Sequence, residues 1–462
     1  MIAGLQPYAD YSDSGLPWLG QVPAHWNQRR MKFLFTERVQ KGFPNEPLLA
    51  ATQSKGVVRK EDYGSRTVTA MKDFHLLKLV ETGDFVISLR SFQGGLELAH
   101  CRGIISPAYT VLKPRHDAVR GYYGQFFKSS AFISSLTLFV TGIREGQTID
   151  YERLSRAYVP VPPIAEQVAI TRFLIWASGR LQRAIGAKRK VIALLTEQKA
   201  AIVQRAVTRG ADANAPLKPS GIRWLGEIPQ HWEVLRVKQA TRILRGKFSH
   251  RPRNDPSLYD GPHPFIQTGE VAQASKFILS YRQTLNERGL AVSKVFPGGT
   301  LVMTIAANIG EVAILTFDAC FPDSIVGFVP SQSIERDYLY LVFLAMKAEL
   351  LREAPVNTQG NLNVERIGAM GIPLPPIEDQ RRIVGYVETE AAGLDSGIDR
   401  MKREINLLRE YRTRLITDVV TGKLDVCEAA AQLPEDARAG IEAEPTDESD
   451  DTELIDEEAT EA

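Results

Sequence analysis

A stretch of thirteen residues in this chain returns with eight of them unchanged. SGLPWLGQVPAHW at Ser14–Trp26 returns as SGIRWLGEIPQHW at Ser220–Trp232, a shift of 206 positions. A second pair, VPVPPIAEQ at Val159–Gln167 and IPLPPIEDQ at Ile372–Gln380, repeats with a shift of 213. A period near 210 residues is far too long for a solenoid unit, and it gives each copy enough chain to bury a core of its own. The chain is therefore expected to be a duplicated module. A duplicated module calls for a partner that is itself two-fold or bipartite.

Composition narrows the class. A length of 462 residues allows two to four domains. Apolar residues at 44% and charged residues at 24% are those of an ordinary globular protein. No apolar run approaches the roughly 18 to 20 residues needed to span a bilayer. The start, MIAGLQPYADYSDSG, has neither a basic nor an apolar signal region, so a cytoplasmic protein is expected. Cys101, Cys320 and Cys427 are scattered and odd in number, and are expected to be reduced thiols. The formal net charge of +1 hides an asymmetry: residues 428–462 carry fourteen acidic residues and one arginine, which leaves +14 on residues 1–427. The acidic tail is expected to be disordered, and the basic remainder fits a polyanionic partner.

Each copy divides into the same four pieces. The first is the tryptophan box, with Trp18, Pro23, His25 and Trp26 matched by Trp224, Pro229, His231 and Trp232. It reads as a packed clamp at the start of a domain, its histidines structural. The third is a Pro-Pro-Ile hinge, Pro162-Pro163-Ile164 and Pro375-Pro376-Ile377. Prolines there stop a strand and precede a helix. Glu166, Glu378 and Asp379 fall in its first turn, where the macrodipole favours them. The fourth is a long helix, expected at 166–208 and 379–421, with possible bends at Ser178-Gly179 and near Gly393. Its seam follows a heptad: Leu181, Ile185, Ile192, Leu195, Ile202 and Ala206 correspond to Leu394, Ile398, Ile405, Leu408, Leu415 and Val419. Lys199 and Arg412 interrupt the seam at matching places. The two helices are expected to pair with each other, with Ile185, Ile192, Leu195, Ile202, Ile398, Ile405, Leu408 and Leu415 at the contact. Such a rod is a spacer that fixes a distance.

The second piece, a mixed and strand-rich region of about 130 residues, is where the copies disagree. GDFVISLRSFQGGLELA from Gly83 aligns with GTLVMTIAANIGEVAIL from Gly299, pairing Gly94 with Gly310. The shift grows from 206 to 216 and falls back to 213 inside this region and nowhere else. A common scaffold thus presents two different surfaces. Their loops hold Lys55, Arg59, Lys60, Arg66, Arg90, Ser91 and Gln93 in the first copy. The second offers Arg245, Lys247, His250, Arg251, Arg253, Asn254, Thr304, Asn308, Gln359 and Asn361. These residue types read base edges and hold phosphates, and as a set they are the candidate DNA contacts.

With twin tryptophan boxes, twin PPI..Q hinges, a strand-loop-strand ending in glycine and two helices after the domains, residues 14–425 resemble the specificity subunit of type I restriction-modification systems. The resemblance implies an α+β fold in which two mixed α/β target recognition domains alternate with two long helices paired as an antiparallel coiled coil, an internal pseudo-two-fold duplication. On this reading residues 1–160 are the first recognition domain and 161–212 the central helical spacer. Residues 213–373 are then the second recognition domain, 374–427 the C-terminal helix and 428–462 the acidic tail. It further implies that each domain reads one half of a bipartite DNA target. Two methyltransferase subunits would bind S-adenosylmethionine and methylate adenine at N6, and motor-nuclease subunits would join them, with ATP and magnesium on those partners. The residues add that unlike surfaces on equal scaffolds call for unlike half-sites rather than a palindrome.

The chain itself shows no chemistry. Its Pro-Pro pairs stand in VPPI and LPPI rather than in an N/D-P-P-Y/F tetrapeptide, and no GxxxxGK[ST] loop occurs. Glu197-Gln198-Lys199 lies in the predicted helix without a preceding nuclease aspartate, and no metal-ligand spacing is found. No catalytic residue, no metal site and no cofactor of its own are expected. Two other readings stay open: a specificity subunit of a differently organised methylase-nuclease system, and a scaffold that binds protein through its two heads.

Overall fold

The computed structural model describes residues 5–63, 73–115, 119–142, 148–212, 214–306, 308–353 and 362–434. The architecture is α+β. Its main helices are α1 (Arg120–Phe127), α2 (Ile164–Arg209), α3 (Arg336–Glu353) and α4 (Ile377–Val420). The chain divides into two compact units, Met1–Lys188 with Arg403–Ala462, and Arg189–Lys402. These cut across the segments drawn from sequence, because each unit takes part of both long helices into its own core.

In the first unit, the box strand Asn27–Arg30 pairs antiparallel with Tyr158–Val161, the strand that leads into the hinge. Box and hinge, more than a hundred residues apart, thus sit side by side. Next to them is a four-stranded antiparallel sheet, ordered Phe35–Glu37, Thr110–Pro114, Phe85–Ile87, Glu97–Leu98. Phe35 and Phe85 on its inner face meet Tyr123 and Phe127 of α1 edge-on, at centroid distances of 5.2 Å (Phe35–Tyr123) and 5.1 Å (Phe85–Phe127). Such pairs add about 0.5–1.5 kcal/mol each to the area they bury. Ile170, Phe173, Leu174 and Ala177 of α2 join this core, as do Leu415, Val419 and Val420 of α4.

The second unit repeats the frame with Glu233–Arg236 paired to Gly371–Leu374. Its main sheet has five strands, Thr241–Arg245, Ile325–Pro330, Leu301–Thr304, Val312–Leu315 and Phe277–Ile278, the last pairing parallel. Val203, Ala206 and Val207 of α2, with Ile383 and Val387 of α4, close its core. A second sheet of four strands, Gln283–Leu285, Tyr259–Phe265, Ala319–Cys320 and Val295–Phe296, lies beyond it. The first unit has separate two-stranded pairs instead, Leu49–Thr52 with Gly56–Arg59 and Lys78–Val80 with Gly103–Ile105. The difference in loop architecture falls in the region where the sequence shift changes.

The helices run antiparallel. Lys188 pairs with Glu404 in the first unit, and Lys199 with Asp395 at 2.6 Å in the second. The lysine that interrupts the seam is thereby neutralised by the facing helix. All eight residues named for the pairing are buried or half-buried. Neither Ser178-Gly179 nor Gly393 interrupts its helix. Each helix is stopped by a glycine with a left-handed backbone, Gly210 at φ 79° and Gly422 at φ 79°. Both stops also fit the box. A Cβ on Gly210 would lie 3.2 Å from the Trp232 ring, and one on Gly422 would lie 3.0 Å from Trp26 and 2.3 Å from Pro23.

One expectation needs correction. The acidic tail does not begin at residue 428: Cys427–Ala431 is helical, and Val426, Ala430 and Leu433 are buried, because these few residues are apolar enough to close the first core. Residues 435–462 lie outside the described residues. Strand register keeps Gly94 matched to Gly310, since Phe85 pairs with Leu98 as Leu301 pairs with Ile314, but the left-handed residue of the first turn is the next one, Gly95. Gly95 has φ 80°, matching Gly310 at φ 82°, and a Cβ there would strike the Phe127 carbonyl oxygen at 2.0 Å.

Candidate nucleic-acid interface

The repeated residues build two equivalent joints. In the first, Glu166 at the start of α2 receives the Trp26 indole N–H (2.7 Å) and lies 3.0 Å from His25 Nε2. In the second, Asp379 of α4 meets His231 Nε2 at 2.7 Å and the Trp232 indole at 3.4 Å. Burial alone would raise the Asp379 carboxyl, but hydrogen bonds from His231 and Arg382 outweigh it and hold it below the usual carboxylate range. The glutamine that closes PPI..Q is fully buried in both copies. Gln167 donates to Pro162 O at 2.9 Å and accepts from Val119 N, just before α1. Gln380 donates to Pro375 O at 2.9 Å and accepts from Glu335 N, just before α3. Each histidine thus bonds the first turn of the helix after its hinge, and the buried glutamine ties the hinge to the start of the head's helix.

On this frame stand the polar loops. In the first unit Lys128, just after α1, donates to Gln53 O (3.0 Å), Gly94 O (2.8 Å) and Glu97 Oε1 (2.6 Å). One ammonium thus ties the hairpin turn that bears Lys55 to the turn that bears Arg90 and Gln93. Glu97 is only 1% exposed, and burial pushes its carboxyl up to about 7 in spite of Lys128. The second unit has a looser counterpart: Lys347 of α3 bonds Glu311 at 2.5 Å, with side chains 37% and 31% exposed.

The candidate contacts separate by burial. Arg59, Arg90, Gln93, Arg245, Lys247, Arg251, Arg253, Asn254 and Asn308 are exposed, while Lys55, Lys60 and His250 are half-buried. Ser91 and Thr304 are buried. The Ser91 hydroxyl accepts from Ser88 N at 2.8 Å, and the Thr304 hydroxyl donates to Asn308 O. Both hold their turns together, a role that small hydroxyl residues commonly take. Arg66, Gln359 and Asn361 lie outside the described residues.

The structure brings Arg245 and Arg253 together on a cavity of about 420 Å³ in the second unit, with Asp323, Ser324 and Asn363. Arg253 donates to Asp323 at 2.5 Å, and Arg251 lies 3.8 Å from the other oxygen of the same carboxylate. Neither Asp323 nor the two lysine–glutamate anchors is legible in the aligned copies. Lys128 and Lys347 differ by 219 positions, Glu97 and Glu311 by 214, and Asp323 has no repeated partner. Among the described residues, no cluster of three or more His, Cys, Asp or Glu is placed to hold a metal ion, and no helix is long and apolar enough to cross a membrane.

Comparison with known proteins agrees with this geometry. Residues 229–405 match the family model described as "Type I restriction modification DNA specificity domain". The chain is 24% identical over 341 residues to the type I restriction enzyme MjaVIII specificity subunit of Methanocaldococcus jannaschii, covering 70% of this chain and 75% of that protein. It is also 24% identical over 196 residues to the MjaIX specificity subunit of the same organism, 41% of this chain and 44% of that one. A solved chain described under complex assembly and conformational transition of the type I R-M system shares the fold. Its TM-score is 0.55 at 17% identity, over 87% of this chain and 99% of that one.

Proposed function

We propose that the chain is a specificity subunit of a type I restriction-modification system, and that its two heads read the two unlike halves of one split DNA target. The observation that carries this reading is the contrast between frame and loops. Box, hinge and helix are built from the same contacts in both units, Trp26–Glu166 and Trp232–Asp379. The loops above them are built on different strands and anchored differently. Exposed arginines, lysines and amides on those loops supply phosphate contacts and base contacts.

In this reading the chain is a non-catalytic reader that holds no cofactor. Two methyltransferase subunits carry S-adenosylmethionine and methylate adenine at N6, and motor-nuclease subunits carry ATP and magnesium. The paired helices α2 and α4 set the unread gap between the half-sites.

The test is methylome sequencing of cells that hold the methyltransferase partners with and without this chain. The expected result is one motif with two unlike halves that appears only with the chain. Exchange of residues 27–158 for the matching region of another specificity subunit should then change one half alone. A palindromic motif, or an exchange that rewrites both halves, would overturn the reading.

A further inference from the structure

The cavity of the second head has donors and an acceptor side by side, as a base-pair edge requires. Arg253 is fixed at both ends: its carbonyl accepts the Tyr259 hydroxyl, and one guanidinium nitrogen donates to Asp323 at 2.5 Å. Arg251, beside it, spends one nitrogen on the carbonyls of Phe248 (2.9 Å) and His250 (2.8 Å). Arg245 ends the edge strand Thr241–Arg245 and faces the same cavity. Asn363 on the same wall uses its carbonyl oxygen to cap a short helix at Glu365 N (2.8 Å). The floor is firm, since Leu362 is buried and bonded through its N–H to Ile305 O at 2.8 Å.

A site built only for phosphate has no use for a carboxylate on its wall, because Asp323 would repel the ligand. The major-groove edge of a G·C pair is different: guanine shows two acceptors, N7 and O6, and cytosine shows the N4 amine as a donor. An arginine fork beside a carboxylate complements that edge, donor to guanine and acceptor from cytosine. The Asp323 bond also holds the Arg253 fork in one orientation before DNA arrives, which lowers the ordering cost of binding.

We propose that Arg253 and Asp323 are specificity-determining residues that read a G·C pair in the half-site of the second head, with Arg245 as the adjoining donor. This rests on the reading of the chain as a DNA specificity subunit. The ligand is duplex DNA presented by its major groove, and the reading element is an orienting ion pair opened toward the base edge.

The experiment uses the full chain with its methyltransferase partners in cells and reads the methylome for Arg253→Gln, Asp323→Asn and Arg245→Ala. The expected result for Arg253→Gln and Asp323→Asn is loss of discrimination at one G·C position of one half-site. The loss should be about 10- to 100-fold by the usual worth of a bidentate contact, with the other half-site unchanged. Uniformly reduced methylation at an unaltered motif would make these residues phosphate contacts and overturn the proposal. So would an unchanged motif, or a parent half-site for the second head that contains no G·C pair. Asp323→Asn keeps the shape of the wall, so it decides the matter if the arginine variant fails to assemble. Failure of the wider reading looks different: the parent complex would then show no salt-dependent binding to duplex DNA at all.

Discussion

The two heads hold their reading turns with the same chemistry at different depths. In the first, the carboxylate that receives Lys128 is buried to 1% exposure. In the second, Lys347 and Glu311 both stay about one-third exposed. A shared frame therefore does not make the loops equal in rigidity or in their response to pH. A buried pair is costly to break because it strands a charge, at about 3–5 kcal/mol, whereas an exposed pair is worth roughly 0–1 kcal/mol. The first head is thus the more committed of the two to its turn geometry.

The sharpest way to break the comparison is to attack what the heads share. Trp26→Ala and Trp232→Ala should each destabilise their own unit by about 3–5 kcal/mol, the usual cost of removing a buried tryptophan. Denaturant unfolding followed by hydrogen exchange in each unit would check this. Unequal losses would mean that the two joints differ in more than sequence position.

Next in size is the anchor itself. Lys128→Ala should cost about 3 kcal/mol at pH 8, and Lys347→Ala at most about 1 kcal/mol, read as shifts of the denaturation midpoint of the respective unit. Equal costs would remove the distinction drawn between the heads.

The pH response sharpens the same point. Glu97 titrates near 4.5 when free and at about 7 in the fold. Its contribution to stability is therefore fully present below about 4.5 and is lost as pH rises through about 7, on the order of 3 kcal/mol in all. The midpoint difference between the parent chain and Glu97→Gln should vary across that window. A difference that stays flat from pH 5 to 8 would contradict it. The penalty of Lys128→Ala should likewise shrink toward pH 6, where Glu97 takes up a proton.

Much of the frame was legible in the sequence because repetition exposes whatever both copies need. The box, the PPI..Q hinge and the heptad helices fell out of the two alignments. What they touch did not: nothing in SGLPWLGQVPAHW says that Trp26 will bond Glu166, since that contact depends on strand pairing between residues far apart. The helices α1 and α3 went unread inside a region taken as strand-rich. The aromatic residues of α1, Tyr122, Tyr123, Phe126 and Phe127, are spaced as one face of a helix, but eight residues make too short a window for that period to stand out. In the loops, alignment matched Gly94 with Gly310 but could not say that the left-handed residue of the first turn is Gly95, which only backbone conformation reveals. Of the candidate contacts, Ser91 and Thr304 were chosen by residue type, which could not show that they are buried and bonded within their own turns. Arg245 and Arg253 stand together on one cavity, with a carboxylate bonded to Arg253 that no repeat could mark.

The glycine that ends α4 has a further meaning for how the molecule is made. The first unit is closed by residues from the far end of the chain: Gln6 bridges to Asp425, Tyr122 donates to the Val420 carbonyl, and Gly422 sits against Trp26. The second unit, Arg189–Lys402, is one uninterrupted stretch. During synthesis the second head has all of its parts before the first does, although the first leaves the ribosome earlier. The head that is begun first is finished last, and until then its aromatic core waits for the strip of α4 that seals it.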